Sequence, residues 1–595
     1  MNCYAKRIQE LRTIMKSQNI DAYFILTSDP HLGEYLPKYW KNREWISGFS
    51  GSSGTIVITQ DYAGLWSDGR YWLQAQKELQ GSTIELQKQD STNNFIQWIL
   101  TNLQQDSILG TNFQVLPLNL QKELESHLKN KKIQLHHADL LRQIWKDRPA
   151  LITNPIYEHT QSPRTRTEKI LKIRQNMREL KASHHFISTL DDIAWICNLR
   201  GSDISYNPVF LSYMLISHDE AILWADLEKI PPQISTNLSK DGLTLRSYYE
   251  IESFLKTLQN NDILIDPSKT TAFFANILQK QNRILEGDNP SILLKSCKSD
   301  LEIAQIEQAM LQDGIALCNF LQWLEDSLKK EECISELDID SKLQEFRSQH
   351  ESYVSDSFAT IAAFNANAAL PHYRATQQSF SYLDGEGLLL IDSGAQYTNG
   401  TTDITRVIPI RNITPAQKRD YTLVLKAHIA LSSATFPLDI PMPLLDSITR
   451  APLWKEQIDF IHGTGHGVGY FLNVHEGPQV ISYFSKDLYK TKAKVGMITS
   501  IEPGIYRANQ WGIRLENLVV SEPIDTPKEV QFGDFLHFRT LTLCPFENSC
   551  IDSTLLTQEE KKWLNTYHAK VWQELESKLE DKTRLWLKQK TAPLK

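Results

Sequence analysis

The stretch LLLIDSGAQYTNGTTDITRVI, residues 388–408, decides how the carboxyl-terminal half of this chain is read. LLLID has the continuous apolar character of a buried strand, and Asp392 closes it. SGAQYTNG supplies turn residues, and TTDITRV reads as a second strand with Asp403 inside it. A hairpin of this kind brings two carboxylates face to face. Each aspartate has an ordinary alternative, with Asp392 capping a turn and Asp403 paired with Arg406. Two carboxylates buried together in apolar strands nevertheless call for a cation.

Further along, FIHGTGHGVGYFLNVHEGP (460–478) carries His462, His466 and His475 on one glycine-rich loop. Gly465 and Gly467 flank His466, so little side-chain bulk obstructs an ion approaching its ring. A satisfied core histidine suits one such residue, not three on a loop this rich in glycine. ITSIEPGIY (498–506) ends a strand with Glu502, after which Pro503-Gly504 forces a turn. GIRLENLVV (512–520) reads as another strand, with Glu516 among apolar neighbours and Arg514 on the same face. Taken singly, Glu502 is a turn carboxylate and Glu516 an ion-pair partner of Arg514. Taken together, Asp392, Asp403, His466, Glu502 and Glu516 form the mixture that two neighbouring divalent ions need. Carboxylates bridge both ions, and one imidazole makes the two ends unequal. The reaction class implied is metal-assisted hydrolysis. His372, in ALPHYRAT, precedes Asp392 by twenty residues, and Pro371 fixes its backbone. It reads equally as a site residue or as an exposed loop histidine.

The rest of the chain sets limits. At 595 residues it exceeds one core, and about 150–200 residues per domain gives three to four domains. With 41% hydrophobic and 23% charged residues it has the composition of a soluble globular protein. Its 63 basic and 71 acidic residues are intermixed, which argues against nucleic acid as a partner. No stretch approaches the ~20 apolar residues of a membrane helix, and MNCYAKRIQELRTIMKSQNI lacks the apolar run of a signal peptide. Seven cysteines are scattered, with no CxxC pair. The expectation is a reduced, cytoplasmic protein.

Residues 8–20 read as an amphipathic helix with Ile8, Leu11, Ile14 and Met15 on one face. DAYFILTSD, TIVIT (55–59) and GLW (64–66) read as strands. WISGF (45–49) precedes strands ending in LWSD (65–68), and WICNL (195–199) precedes strands ending in LWAD (223–226). This echo predicts two related α/β domains in tandem, the second carrying a short insertion near YNPVFLSY. KDRPALITNPIY and GDNPSILLKSCKSDLE mark the boundaries, giving domains 1–150, 151–298 and 299–595. The last opens on a helical run, EIAQIEQAMLQDGIALCNFLQWLEDSL. It closes on LTQEEKKWLNTYHAKVWQELESKL, a pair of helices with a threonine N-cap.

IDSGAQYTNGTTDITR, HGTGHGVGYFLNVHEGP, SIEPGIY and IRLENLVV together resemble the metallopeptidases of the creatinase-like pita-bread fold. The similarity is closer to the long, three-domain cytosolic aminopeptidase P group. SGFSGSSGTIVI and LWSDGRYWLQAQ (47–76) resemble that group's first domain. FRTLTLCPFENSCIDSTLLTQEEKKWLNTYH resembles its extension, at about 535–595. The resemblance implies an α/β (α+β) chain of two tandem creatinase-N-like domains followed by a pita-bread metallopeptidase domain. Asp392, Asp403 and Glu516 would hold one divalent ion, and Asp403, His466, Glu502 and Glu516 the other. A hydroxide between the ions would attack the peptide, with Glu502 taking its proton. His372 and His475 would steady the carbonyl and the oxyanion. His462, His466 and Arg70 would complete the substrate-facing wall. Carboxylate-rich ligation favours Mn2+, with Zn2+ or Co2+ as alternatives. NANAALPHY, around His372, is looser than the glycine-flanked version of that group.

The implied activity is removal of the amino-terminal residue from X-Pro peptides by a homodimer paired through its catalytic domain. A prolidase that cuts only X-Pro dipeptides is the alternative within the same chemistry. A non-enzymatic pita-bread module that binds proteins is the alternative from another class, and it has no need to keep the five ligands.

Overall fold

The expected amino-terminal helix runs over Cys3–Ser17, starting earlier and ending sooner than its apolar spacing suggested. Asn2 caps it by accepting the Tyr4 backbone N–H at 3.1 Å, and Ile8, Leu11 and Met15 are fully buried. These coordinates are a computed structural model that describes residues 2–90, 92–525 and 529–595. They fall into two units, Met1–Ser291 and Ile292–Lys595.

The first unit holds two six-stranded sheets of one topology. The first runs Glu85–Lys88, Ala63–Ser67, Thr55–Thr59, Ala22–Ile25, Ile108–Thr111, Gln134–His137. The second runs Leu243–Ser247, Ala221–Ala225, Ser212–Ser217, His184–Ile187, Asp262–Ile265, Arg283–Glu286. In each, the three central strands are antiparallel and every outer pairing is parallel. Trp66 and Trp224 sit on equivalent strands, both fully buried. The two WI segments lie at the ends of equivalent helices, Asn42–Ser47 and Leu190–Cys197. The echo in the sequence is therefore a structural repeat. The second copy's extra length lies in the connection at 198–211, longer than its counterpart at 48–54 and holding most of the expected insertion.

The second unit opens on a 30-residue helix, Asp300–Lys329, whose Ser299 and Glu302 form a capping box. A six-stranded sheet runs Thr435–Pro437, Phe535–Thr540, Asn517–Pro523, Ile498–Ile501, Gly465–Gly467, Glu476–Ile481. A three-stranded sheet runs Ile361–Phe364, Gly387–Ser393, Ile404–Ile410. The helix Pro415–Ser432 is buried over most of its surface, so it reads as apolar nearly all round. Helices Gln558–Leu575 and Asp581–Lys590 close the unit, with Thr557 and Glu560 as the capping box.

Two local expectations need correction. The connection between the aspartate-bearing strands is more than a turn. Ala395–Tyr397 and Gly400–Thr401 leave to join Tyr353–Asp356 in a separate sheet, and Asp403 lies just before its strand instead of inside it. GIRLENLVV is two strands. Trp511–Arg514 pairs with Gly504–Arg507 and Asn517–Pro523 joins the large sheet, leaving Glu516 at the joint. Apolar alternation shows that a segment is extended, not which sheet each half joins.

Candidate metal centre

Register brings the first two carboxylates together. Asp392 pairs across the sheet with Thr405, and Asp403, two residues earlier, falls on the same face by the two-residue period. The Glu516 backbone N–H donates to the Thr405 carbonyl at 3.1 Å, and the Thr405 hydroxyl donates to the Glu516 carboxylate at 2.8 Å. The joint between two sheets is thus pinned beside the aspartates.

His466 is not on a loop. It occupies the short strand Gly465–Gly467, and its backbone N–H donates to the Ser500 hydroxyl at 3.0 Å. Its flanking glycines serve packing, because a Cβ at 465 would overlap the Ser500 carbonyl and one at 467 the Glu476 carbonyl. The Glu502 backbone N–H donates to the Thr464 carbonyl at 2.8 Å, which sets its side chain next to His466.

One ligand atom each from Asp403, His466 and Glu516 lie within 4.8 Å of one another. His466 Nε2 is 3.5 Å from Asp403 Oδ2 and 3.4 Å from Glu502 Oε1. His466 Nδ1 lies 3.0 Å from the Gly467 carbonyl. Placing the proton on Nδ1 for that bond turns the Nε2 lone pair towards the two carboxylates. Asp392 Oδ1 and Glu516 Oε1 are buried and accept no hydrogen bond among the described residues. Burial, then Asp392 and Glu502, pushes Asp403 far above the usual carboxylate range. Burial, with Asp403 first among its neighbours, does the same to Glu516. Burial pushes Glu502 up to about 7, although Arg514 pulls against it. Orphaned oxygens, an imidazole lone pair and crowded carboxylates are what divalent cations satisfy, and the donor set fits them.

Around this cluster runs a hydrogen-bonded chain that the sequence did not disclose. Arg514 pairs with Asp392 at 2.5 Å, not with Glu516, and donates to the Tyr506 hydroxyl at 2.8 Å and to Thr405 at 3.3 Å. Tyr506 in turn lies 2.8 Å from His462 Nε2. Arg406 does not pair with Asp403. It donates to backbone carbonyls of Thr405, Glu516, Cys544 and Pro545 and to Asn517. Thr405 and Tyr506 were missed, and the only signal for Thr405 was its place opposite Asp392 once the hairpin is registered.

The His475 and His466 rings meet edge-on at 4.3 Å, so His475 belongs to the cluster's rim. His462 reaches it through Tyr506 and Arg514. His372 is exposed beside the buried Tyr373, on the turn following Asn365–Ala369. Arg70 belongs to the first unit, where its guanidinium grips Asp68 through two bonds of 2.7 and 2.8 Å.

Residues 304–523 match the metallopeptidase family M24, and residues 534–594 match the C-terminal region of that peptidase. Residues 7–144 and 147–302 each match the creatinase/prolidase N-terminal domain. Over 612 residues the chain is 36% identical to Xaa-Pro aminopeptidase 1 of Dictyostelium discoideum, covering 99% of this chain and 96% of that one. The chain belongs to the Xaa-Pro aminopeptidase family. Aminopeptidase P2 of Arabidopsis thaliana is 35% identical over 97% of this chain and 86% of its own. The crystal structure of X-prolyl aminopeptidase from Caenorhabditis elegans, described as a cytosolic enzyme with a di-nuclear active site, gives a TM-score of 0.94. It is 31% identical over the whole of both chains. The family architecture is two creatinase-type domains followed by the M24 catalytic domain. Among the described residues no helix is long and apolar enough to cross a membrane.

Proposed function

We propose that this chain is a metal-dependent aminopeptidase that releases the amino-terminal residue from peptides with proline at the second position. The observation that carries the reading is the cluster of Asp403, Glu502 and Glu516 around the His466 lone pair, with Asp392 as a charged neighbour of Asp403, in a chain similar from end to end to Xaa-Pro aminopeptidases. Asp392, Asp403 and Glu516 would hold one divalent ion, and Asp403, His466, Glu502 and Glu516 the other. When bound, the pair supplies Lewis acidity that polarises the scissile carbonyl and lowers the pKa of water. Carboxylate oxygens outnumber nitrogen donors four residues to one, which favours Mn2+ over Zn2+ or Co2+.

The chain's own groups divide the remaining work. Glu502 accepts a proton on its carboxylate. Arg514 holds Asp392 in one orientation, and Thr405 does the same for Glu516. His475 and His372 donate to the substrate carbonyl and to the oxyanion that replaces it. His462 lines the pocket, and Arg70 is a substrate-binding residue. An X-Pro bond has no N–H, so recognition rests on the ring and the free amino end.

The domains divide near residues 150 and 298. Trp454, Tyr483 and Phe484 form an exposed aromatic patch on the catalytic unit, with ring spacings of 6.2 and 4.1 Å, and this favours a homodimer paired there. A cytoplasmic location fits the seven free cysteines. The binding-module reading is disfavoured because all five ligand side chains are present and converge.

Ala-Pro-Ala and Ala-Pro separate the aminopeptidase from the prolidase. We expect alanine from the tripeptide with manganese present, and none from Ala-Ala-Ala. Cleavage of Ala-Pro alone would leave the prolidase standing.

A further inference from the structure

Lys298 and Glu476 form an ion pair with both side chains sealed from solvent, 0% and 1% exposed. Neither belongs to the five-ligand set. Exchange of a buried ion pair for apolar residues of similar volume is often neutral or stabilising. Stability is therefore a weak reason for its presence, and location is a better one.

Glu476 directly follows His475 and begins the strand Glu476–Ile481, the outermost of the six-stranded sheet. It lies opposite Gly467, next to His466, at a point where the register slips. An edge strand has ladder bonds on one side only, so its end is poorly held by the sheet alone. Glu476 is buried and His475 beside it is exposed, so the two side chains leave the backbone in different directions. Drawing Glu476 back into the interior turns His475 the other way, towards the His466 ring it meets at 4.3 Å.

Lys298 is itself fixed twice. Its backbone N–H donates to the Gly496 carbonyl at 3.0 Å, and Cys297 bridges Met497 just before the strand Ile498–Ile501 that leads to Glu502. On its other side Ser299 caps the 30-residue helix. Gly496 has φ of +80°, and a Cβ there would run into the Lys298 carbonyl, so the approach is close. One ammonium thus ties the backbone leading to Glu502 to the backbone carrying His475. We infer that Lys298, acting through Glu476, is a positioning residue that sets the His475 imidazole for catalysis.

The inference rests on the role proposed above for His475, and a double-mutant cycle tests it. Alanine release from Ala-Pro-Ala is measured with saturating manganese for Lys298→Met, Lys298→Arg and Glu476→Gln. Each is made in the native and in the His475→Ala background, with metal content and Tm measured alongside. Lys298→Met should lower kcat about 10–100-fold with KM and metal content within about 2-fold of the parent, and in the His475→Ala background it should cost less than about 2-fold. Lys298→Arg should recover most of the loss. Equal losses in both backgrounds, or an emptied metal site, would overturn the positioning role. Should Lys298→Met fold poorly, Lys298→Met/Glu476→Leu removes both charges together. We expect a stable but slow enzyme, and full kcat would refute the inference. A native chain that releases no alanine sinks the proposed function and this role with it. A slow His475→Ala beside a fast Lys298→Met sinks only this role.

Discussion

Asp420 and Asp403 are buried aspartates of the catalytic unit, 2% and 4% exposed, yet their surroundings differ. Asp420 accepts two bonds from Arg507, at 2.9 and 3.0 Å, and one from the Trp511 indole at 3.1 Å. Asp403 faces an imidazole nitrogen at 3.5 Å and lies among Asp392, Glu502 and Glu516, with burial and those charges pushing its carboxyl up. Burial alone therefore does not mark a ligand. The first aspartate is matched by a guanidinium of the chain, and under the proposed function the second is matched by a bound divalent cation.

The largest expected effect separates the two directly. Asp403→Asn or Glu516→Gln should cost about 10³-fold or more in kcat, because each removes a carboxylate proposed to be shared by both ions. Asp420→Asn should leave turnover per folded molecule nearly unchanged and cost about 2 kcal/mol of stability. Denaturant melts and active-site-normalised rates check both. Next in size, His475→Ala should lower kcat about 10²-fold while metal content by elemental analysis stays near normal.

A smaller effect concerns pH. Glu502 is pushed up to about 7, so its metal-free contribution to folding is favourable below the ordinary glutamate pKa and is lost as pH rises through about 7. Divalent cations offset that loss, and they bind better once protons leave the ligands. The gain in Tm on adding manganese should thus be larger at pH 8 than at pH 5.5, by about 2–4 °C.

The five proposed ligand positions could be singled out as a set, because each sits in a short segment whose chemistry is odd for a core. The tandem repeat was legible too, since Trp66 and Trp224 close equivalent strands. What could not be read was long-range pairing. Arg514 and Asp392 are 122 residues apart, and nothing local distinguishes that pair from Arg514 with Glu516. The strand break at Glu516 and the escape of residues 395–401 into another sheet depend on which backbone lies alongside. Lys298 carried no signal at all, being one lysine in a polar boundary segment.

The smallest predicted effect lies in the helix beside the cluster. Burial, reinforced by Arg406, holds His428 down to about 3, and its Nδ1 lies 3.1 Å from the Ile501 carbonyl just before Glu502. Its contribution is present above the ordinary histidine pKa and is lost as pH falls through about 3. His428→Gln should flatten the stability profile between pH 6 and 4 in urea melts and leave the profile above pH 7 unchanged.

The most direct test of the central claim combines metal analysis with turnover on one sample. The purified chain should carry two divalent ions. Chelation should abolish alanine release from Ala-Pro-Ala, and manganese should restore it. Undiminished release from a fully chelated, metal-free chain would contradict the account.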